Sequence, residues 1–179
     1  MPGASTSRIT LRRLTRVDDA DVAALAALMI DVVEGGASIG FMLPIDAARA
    51  QAFWRRIAGG VDGGERVLFV AVDGDGIVGT VQLVLEQPEN QPHRADVAKM
   101  MVANRARRQG IGAALMRAAE EEASARARTL LVLDTASADA ERLYARLGWQ
   151  RCGTIPGYAQ LPQGGPCDTT YFYRVLETR

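Results

Sequence analysis

Arg107, Gly110 and Gly112, in the stretch RRQGIG, stand directly ahead of an alanine- and leucine-rich run, an arrangement that can hold an anion. Glycine permits a tight turn there. The first N–H groups of a helix opening at that point have no intrahelical partner, and with the helix dipole they favour negative charge. Taken alone, R-x-x-G-x-G has a plainer explanation, because glycine is the general solution to a strand-to-helix turn. Two better-known phosphate loops fail on spacing: no lysine follows these glycines as a Walker loop requires, and Leu115 stands where G-x-G-x-x-G needs its third glycine.

Proton chemistry has three candidates. Asp96 lies near the start of the run RADVAKMMV, Asp134 near the end of TLLVLDT, and Tyr144 within AERLYARLG. A carboxylate can take a proton from an amine, and a phenol of ordinary pKa about 10 can give one. Each also has a structural explanation: Asp134 as a turn cap, Asp96 as a solvated strand end, Tyr144 as a core aromatic. Metal chemistry finds no support, since the lone His93 and the separated Cys152 and Cys167 form no ligand cluster. His93, beside Pro92, is expected at the surface.

The elements that would position these residues follow from periodicity and breakers. RITLRRL (Arg8 to Leu14) alternates as a half-buried strand does, and Asp18 or Asp19 caps the helix VAALAALMIDVV, which Gly35 and Gly36 stop. A second helix is expected from near Asp46 to Gly59 and Gly60, with Phe53, Trp54 and Ile57 on one side. RVLFVAVD (Arg66 to Asp73) and GIVGTVQLVLE (Gly76 to Glu86) read as a hairpin about GDG, and Arg94 to Val102 as a third strand of the same sheet. A glycine turn and amphipathic helix follow, then a buried strand (Thr129 to Thr135), the helix ADAERLYARLG, and two terminal strands at WQRCGTI and TTYFYRVL.

With 179 residues, the chain is expected to form a flexible tail over residues 1–7 and a single domain over 8–179. A hydrophobic fraction of 48% with 23% charged residues suits a globular protein, and 21 basic against 21 acidic side chains give no net field to draw nucleic acid. Lys99 is the only lysine beside many arginines. No apolar run reaches the roughly 18 residues needed to span a bilayer. MPGASTSR lacks the apolar core of a signal peptide, so no membrane association and a cytoplasmic location are expected.

The whole pattern KMMVANRARRQGIGAALM, a strand, a short link and R-x-x-G-x-G entering a helix, resembles the cofactor motif of the GCN5-related N-acetyltransferase (GNAT) family. The later AERLYARLGWQRCG is similar to that family's second motif, and the resemblance runs from Arg8 to Leu176. It implies an α/β (α+β) fold: a mixed, mostly antiparallel central sheet of about seven strands flanked by about four helices. It also implies a bacterial acyltransferase using acetyl-CoA as co-substrate and no metal. Main chain at Met100, Met101 and Val102 would pair with the pantetheine arm, and Arg107, Arg108, Gln109, Gly110, Ile111, Gly112 and Ala113 would wrap the pyrophosphate. Ser137 stands where many members carry asparagine, which puts one cofactor hydrogen bond in doubt. GGASIGFM, RADVAKMMV, LDT, PGY and TTYFY narrow the resemblance to the tabtoxin-resistance type, whose acceptor is a small amino-acid-like β-lactam.

Acetyl transfer from a thioester asks for a neutral amine, stabilisation of an oxyanion and a proton for the departing sulfur. An amine of pKa about 10.4 costs about 4 to 5 kcal/mol to deprotonate at pH 7. The resemblance implies Asp134 and Asp96 as the acidic groups holding or deprotonating the amine, Tyr144 as the acid, and a main-chain N–H near Val102 for the oxyanion. Gly36, Ser38, Phe41 and Met42 in EGGASIGFM, with Tyr158, would wall the acceptor pocket, two loops closing so that their apolar side chains are covered. The expected acceptor is a small amine, with a toxin or antibiotic among the candidates. A peptide or protein N-terminus, or a non-catalytic acetyl-CoA-binding module, is the alternative. A homodimer through the C-terminal strands is expected by resemblance only.

Overall fold

The computed structural model describes residues 8–177, and the expected N-terminal tail lies outside them. Seven strands form one sheet in the order β1-β2-β3-β4-β5-β7-β6: β1 (Thr10–Leu14), β2 (Arg66–Asp73), β3 (Gly76–Val84), β4 (Arg94–Val102), β5 (Leu130–Thr135), β6 (Gln150–Gln160) and β7 (Pro166–Val175). Only β4 and β5 pair in parallel, and the other neighbours are antiparallel. Four α-helices cover the sheet: α1 (Asp19–Glu34), α2 (Ala47–Asp62), α3 (Ile111–Ala125) and α4 (Ala138–Arg146). This is the mixed, mostly antiparallel α+β architecture expected from the sequence.

Local chemistry explains the boundaries. Asp18 and Asp21 cap the start of α1 reciprocally, satisfying orphan N–H groups there. α1 buries Val22, Leu25, Met29 and Val33. α2 differs from expectation, since it runs through Gly59 and Gly60 and stops only at Gly63. The reason is packing: a Cβ on Gly60 would lie 3.0 Å from Cδ of Arg66, so the glycine makes room for that side chain. β6 also extends beyond WQRCGTI, through Pro156 and Gly157 to Gln160, because it resumes pairing with β7 after a register shift between Ile155 and Ala159.

Strand alternation turns Gly79 toward α3, where a Cβ would meet Ile111 and Leu115 at 3.0 and 3.1 Å, and turns Gln82 toward α2. Helices therefore cover both faces, and the core forms on either side of β2, β3 and β4. Burying Leu25, Met29, Trp54 and Leu68 on one side and Leu115 and Met116 on the other contributes about 1.5 to 3 kcal/mol per large side chain.

Candidate active site

The sheet is split at its centre. β4 and β5 pair only over Arg94–Asp96 and Leu130–Val132, and both strands continue past the last pair. A bulge drives them apart: Val81 of β3 opposes both Lys99 and Met100, and Lys99 adopts a left-handed φ of 52°. Beyond Asp96 the β5-facing edge of β4 has no strand partner, so main-chain N–H and C=O groups around Met100–Val102 border an open cleft.

On one side of the cleft lies the glycine loop. A short 3-10 turn, Asn104–Ala106, starts it. Asn104 is tied to Asp31 at the end of α1, its N–H 2.7 Å from Oδ2 and its Nδ2 2.9 Å from the carbonyl. Gly35 is required beside it, since a Cβ there would sit 2.6 Å from Asn104 Nδ2. Arg105 holds the turn to Asp73 with two bonds of 2.6 and 3.1 Å. Arg108 (φ 62°) and Gly110 (φ 78°) then take left-handed conformations on either side of Gln109, a sequence of hands that curves main-chain N–H groups into a concavity. Gly110 caps α3 without a side chain, which leaves the first-turn N–H groups at Ile111, Gly112 and Ala113 open to an anion. Gly112 also lets α4 approach, a Cβ there falling 3.0 Å from Leu143 Cδ2.

On the other side is a cavity of about 530 Å³ between α2 and the strands, bordered by Phe53, Gln82, Asp96, Lys99, Asp134 and Tyr171 among others. Asp134 reaches its open mouth, and shielding by the cavity walls raises its pKa above the ordinary carboxylate range although Lys99 nearby pulls it back. Burial lowers the Lys99 pKa while the charge of Asp134 opposes that. Lys99 Nζ donates to the carbonyl of Ile39 at 2.8 Å and stands 5.9 Å over the Phe53 ring, so the bulge pins the α1–α2 loop to the cavity. Asp96 is held by Arg94 and by Gln87 at 3.3 Å. It is therefore a paired carboxylate, unlike Asp134.

Tyr144 is buried on α4 against Trp149 and Phe172. Burial first, and then the charge of Asp134, raises its pKa, so the phenol keeps its proton at neutral pH. Ser137 accepts from the N–H of Ala140 at 3.3 Å, capping α4. The α1–α2 loop and the β6–β7 hairpin are joined: Ser38 Oγ donates to the Gln160 carbonyl at 3.1 Å, and the N–H of Leu43 to that of Pro162 at 2.8 Å. Phe41 packs edge-on against Phe53 at 5.2 Å, whereas Met42 and Tyr158 remain exposed. Gly36, Ser38, Phe41, Met42 and Tyr158 do not border the cavity. Tyr171 does, donating to Tyr158 at 2.9 Å, and that bond leads in pushing its pKa up to about 12. Lys99, Arg66, Gln82, Phe53 and Tyr171 are the site residues that sequence reasoning missed. Two carried a signal: Lys99 as the only lysine, and Gln82 as an amide inside the apolar run VQLVL.

Residues 64–151, covering β2 to the start of β6, match the acetyltransferase (GNAT) domain family. The chain carries a GNAT acetyltransferase domain. Solved structures extend the likeness over nearly the whole chain. A ribosomal-protein-alanine N-acetyltransferase from Brucella melitensis is 26% identical, with a TM-score of 0.72 over 93% of this chain and 99% of its own. An N-acetyltransferase from Staphylococcus aureus Mu50 matches at TM-score 0.79 and 16% identity, over 96% of this chain and 100% of its own. A phosphinothricin acetyltransferase from Sinorhizobium meliloti, solved in complex with AcCoA, matches at 0.78 and 20%, over 94% and 88%. At those last two identities the GNAT fold is what is shared. Among the described residues of this N-acetyltransferase no helix is long and apolar enough to cross a membrane, and no three His, Cys, Asp or Glu side chains gather as metal ligands.

Proposed function

We propose that the protein is an acetyl-CoA-dependent N-acetyltransferase whose acceptor is a small amino-acid-like amine, a toxin or antibiotic such as a tabtoxinine-β-lactam-like compound being one such acceptor. The observation that carries this is the opening between β4 and β5, with an anion-ready loop on one side and the Asp134 cavity on the other. The residues fit the cofactor: the unpaired edge at Met100–Val102 suits an extended amide-bearing arm, and the loop from Arg107 to Ala113 suits a pyrophosphate. Acetyl-CoA supplies an activated acetyl group as a thioester.

The chain's own residues divide the remaining work. Asp134 takes the amine's proton, directly or through one water, as the N–C bond forms. Main-chain N–H groups on the open β4 edge meet the developing oxyanion without reorganising. Tyr144 gives a proton to the sulfur as the C–S bond breaks. The two proton transfers are linked, because the charge of Asp134 raises the Tyr144 pKa. Once Asp134 has accepted the amine's proton, that charge is gone and the Tyr144 phenol gives up its proton more readily than before, although burial still raises its pKa.

A second acceptor, a peptide N-terminus, is supported by the Brucella ribosomal-protein-alanine N-acetyltransferase at 26% identity. The hydrogen bonds joining the α1–α2 loop to the hairpin count against an open peptide groove. We also propose a homodimer through β6, one of the two edge strands of the sheet, which exposes Ile155 and Tyr158. Incubation with acetyl-CoA, a panel of small amines and an alanine-initiated peptide, with a thiol reagent reporting free CoA, tests the acceptor. Amine-dependent CoA release is expected; saturable acetyl-CoA binding with no acceptor-dependent release would leave only a binding module.

A further inference from the structure

Arg66 is the cation of the cavity that no carboxylate answers. Arg94 is paired with Asp96, and Lys99 is spent on the Ile39 carbonyl and faces the charge of Asp134. None of the ion pairs among the described residues uses Arg66. Its Nη1 instead donates to Gln82 Oε1 at 3.0 Å. Gln82 is fully buried on β3 and borders the cavity, and its Nε2 has no partner. A buried amide donor left unmet is costly, and so is a guanidinium without a counter-ion in a half-enclosed space. Both costs vanish with a single anion.

The position is built rather than incidental. Gly60 of α2 clears space for the Arg66 stem, with a Cβ there falling 3.0 Å from Cδ and 3.3 Å from Nε. The guanidinium is thereby laid into the cavity that also holds Asp134. A guanidinium fork beside an amide N–H matches the two oxygens of a carboxylate.

We infer that Arg66 and Gln82 Nε2 bind the carboxylate of the acceptor, so that the substrate is an amino acid held at its acid end here and at its amine by Asp134. This rests on the acetyl-transfer function proposed above and names the substrate class for the same cavity. No covalent step is added. Arg66 and Gln82 are specificity residues.

The test pairs each L-amino acid with its decarboxylated amine, for example phenylalanine with phenethylamine and methionine with 3-methylthiopropylamine. The wild-type protein is expected to favour the amino acid in kcat/KM by ~10- to 100-fold, the range of charge-assisted hydrogen bonds. Arg66→Gln should collapse that ratio toward unity, and Gln82→Glu, which supplies Arg66 with an internal carboxylate, should reverse it. Melting curves check that both variants fold. Equal rates on the two members of each pair in the wild-type protein overturn the inference while leaving acetyl transfer standing, and no variant is needed for that result. Calorimetric titration of the same pairs with CoA present separates the opposite case. Amino-acid binding that exceeds amine binding and is lost in Arg66→Gln, without any acetylation, supports the carboxylate site and removes the acetyl-transfer function. Binding of neither overturns the inference.

Discussion

On the α3 side of the cleft the proposed recognition falls to the main chain, through the unpaired β4 edge and the open N–H groups after Gly110; on the α2 side it falls to side chains, Asp134, Lys99, Arg66 and Gln82. The first kind of surface is contiguous, running from Met100 to Ala113. The second gathers residues from α2, β2, β3, β4, β5 and β7. Main-chain donors tolerate changes in side chains as long as the turn survives, so one cofactor can be retained. Side chains from scattered strands can change one at a time, so the acceptor is free to vary. If this division is sound, substitutions on one side should leave the other side's constants in place.

Asp134→Asn carries the largest expected effect. As the proposed general base it should contribute about 10²- to 10⁴-fold to kcat. The wild-type rate should rise with pH through the elevated pKa of Asp134, because only its ionised form accepts the amine's proton, and this limb should disappear in the variant. Acetyl-CoA affinity measured by calorimetry should stay within about threefold, since the residue lies outside the phosphate loop. A kcat within threefold of wild type would remove Asp134 as the base. Tyr144→Phe should follow with a loss of about 10²-fold in kcat, the lower end for a general acid, while the retained ring keeps its packing on Trp149 and Phe172. Full activity in Tyr144→Phe would leave it a core aromatic only.

Gly112→Val tests the opposite side. A Cβ there already falls 3.0 Å from Leu143, and two further methyl groups would push α4 away from the loop. Overpacking of this kind costs about 1 to 3 kcal/mol, so acetyl-CoA affinity is expected to fall about 10-fold or more. The preference among acceptors should be unaltered. A changed acceptor preference with unchanged cofactor affinity would break the division outright.

The same division explains what could be read before folding. β2 at Arg66–Asp73 and β4 at Arg94–Val102 fall where alternation and breakers put them, because both are apolar runs with polar ends. The glycine loop was legible for a related reason: strand, turn and helix are neighbours in sequence, and their spacing excludes rival loops. In sequence Gly59 and Gly60 resemble a helix stop, while the cause of Gly60 is Arg66, a contact only tertiary structure reveals. In sequence Asp96 and Asp134 are both carboxylates at strand ends. Folding separates them, pairing Asp96 with Arg94 and leaving Asp134 at the cavity mouth. Arg66 and Gln82 needed the register Leu68↔Gln82 and Arg66↔Val84 before their meeting could be seen.

Lys99→Met separates charge from scaffold within the acceptor side. Lys99 lowers the pKa of Asp134, so removing the cation should move the acidic limb of kcat/KM to higher pH. It also frees the Ile39 carbonyl, and looser acceptor binding should accompany the shift. A limb that stays in place would show that Asp134 does not feel Lys99 during turnover.

Ser38→Ala should have the smallest effect, and it decides whether EGGASIGFM touches the acceptor. Ser38 Oγ donates to the Gln160 carbonyl at 3.1 Å, with Cys167 Sγ 3.6 Å away. Losing that bond should cost about 0.5 to 1.5 kcal/mol. For a domain of this size that corresponds to about 1 to 6 °C in Tm. The loop would still be held by the Leu43–Pro162 and Lys99–Ile39 bonds, so the acceptor kcat/KM should change by less than about threefold. A loss beyond tenfold with an unmoved Tm would mean that the hydroxyl binds the acceptor itself, and the acceptor side would then extend past the cavity into the loop.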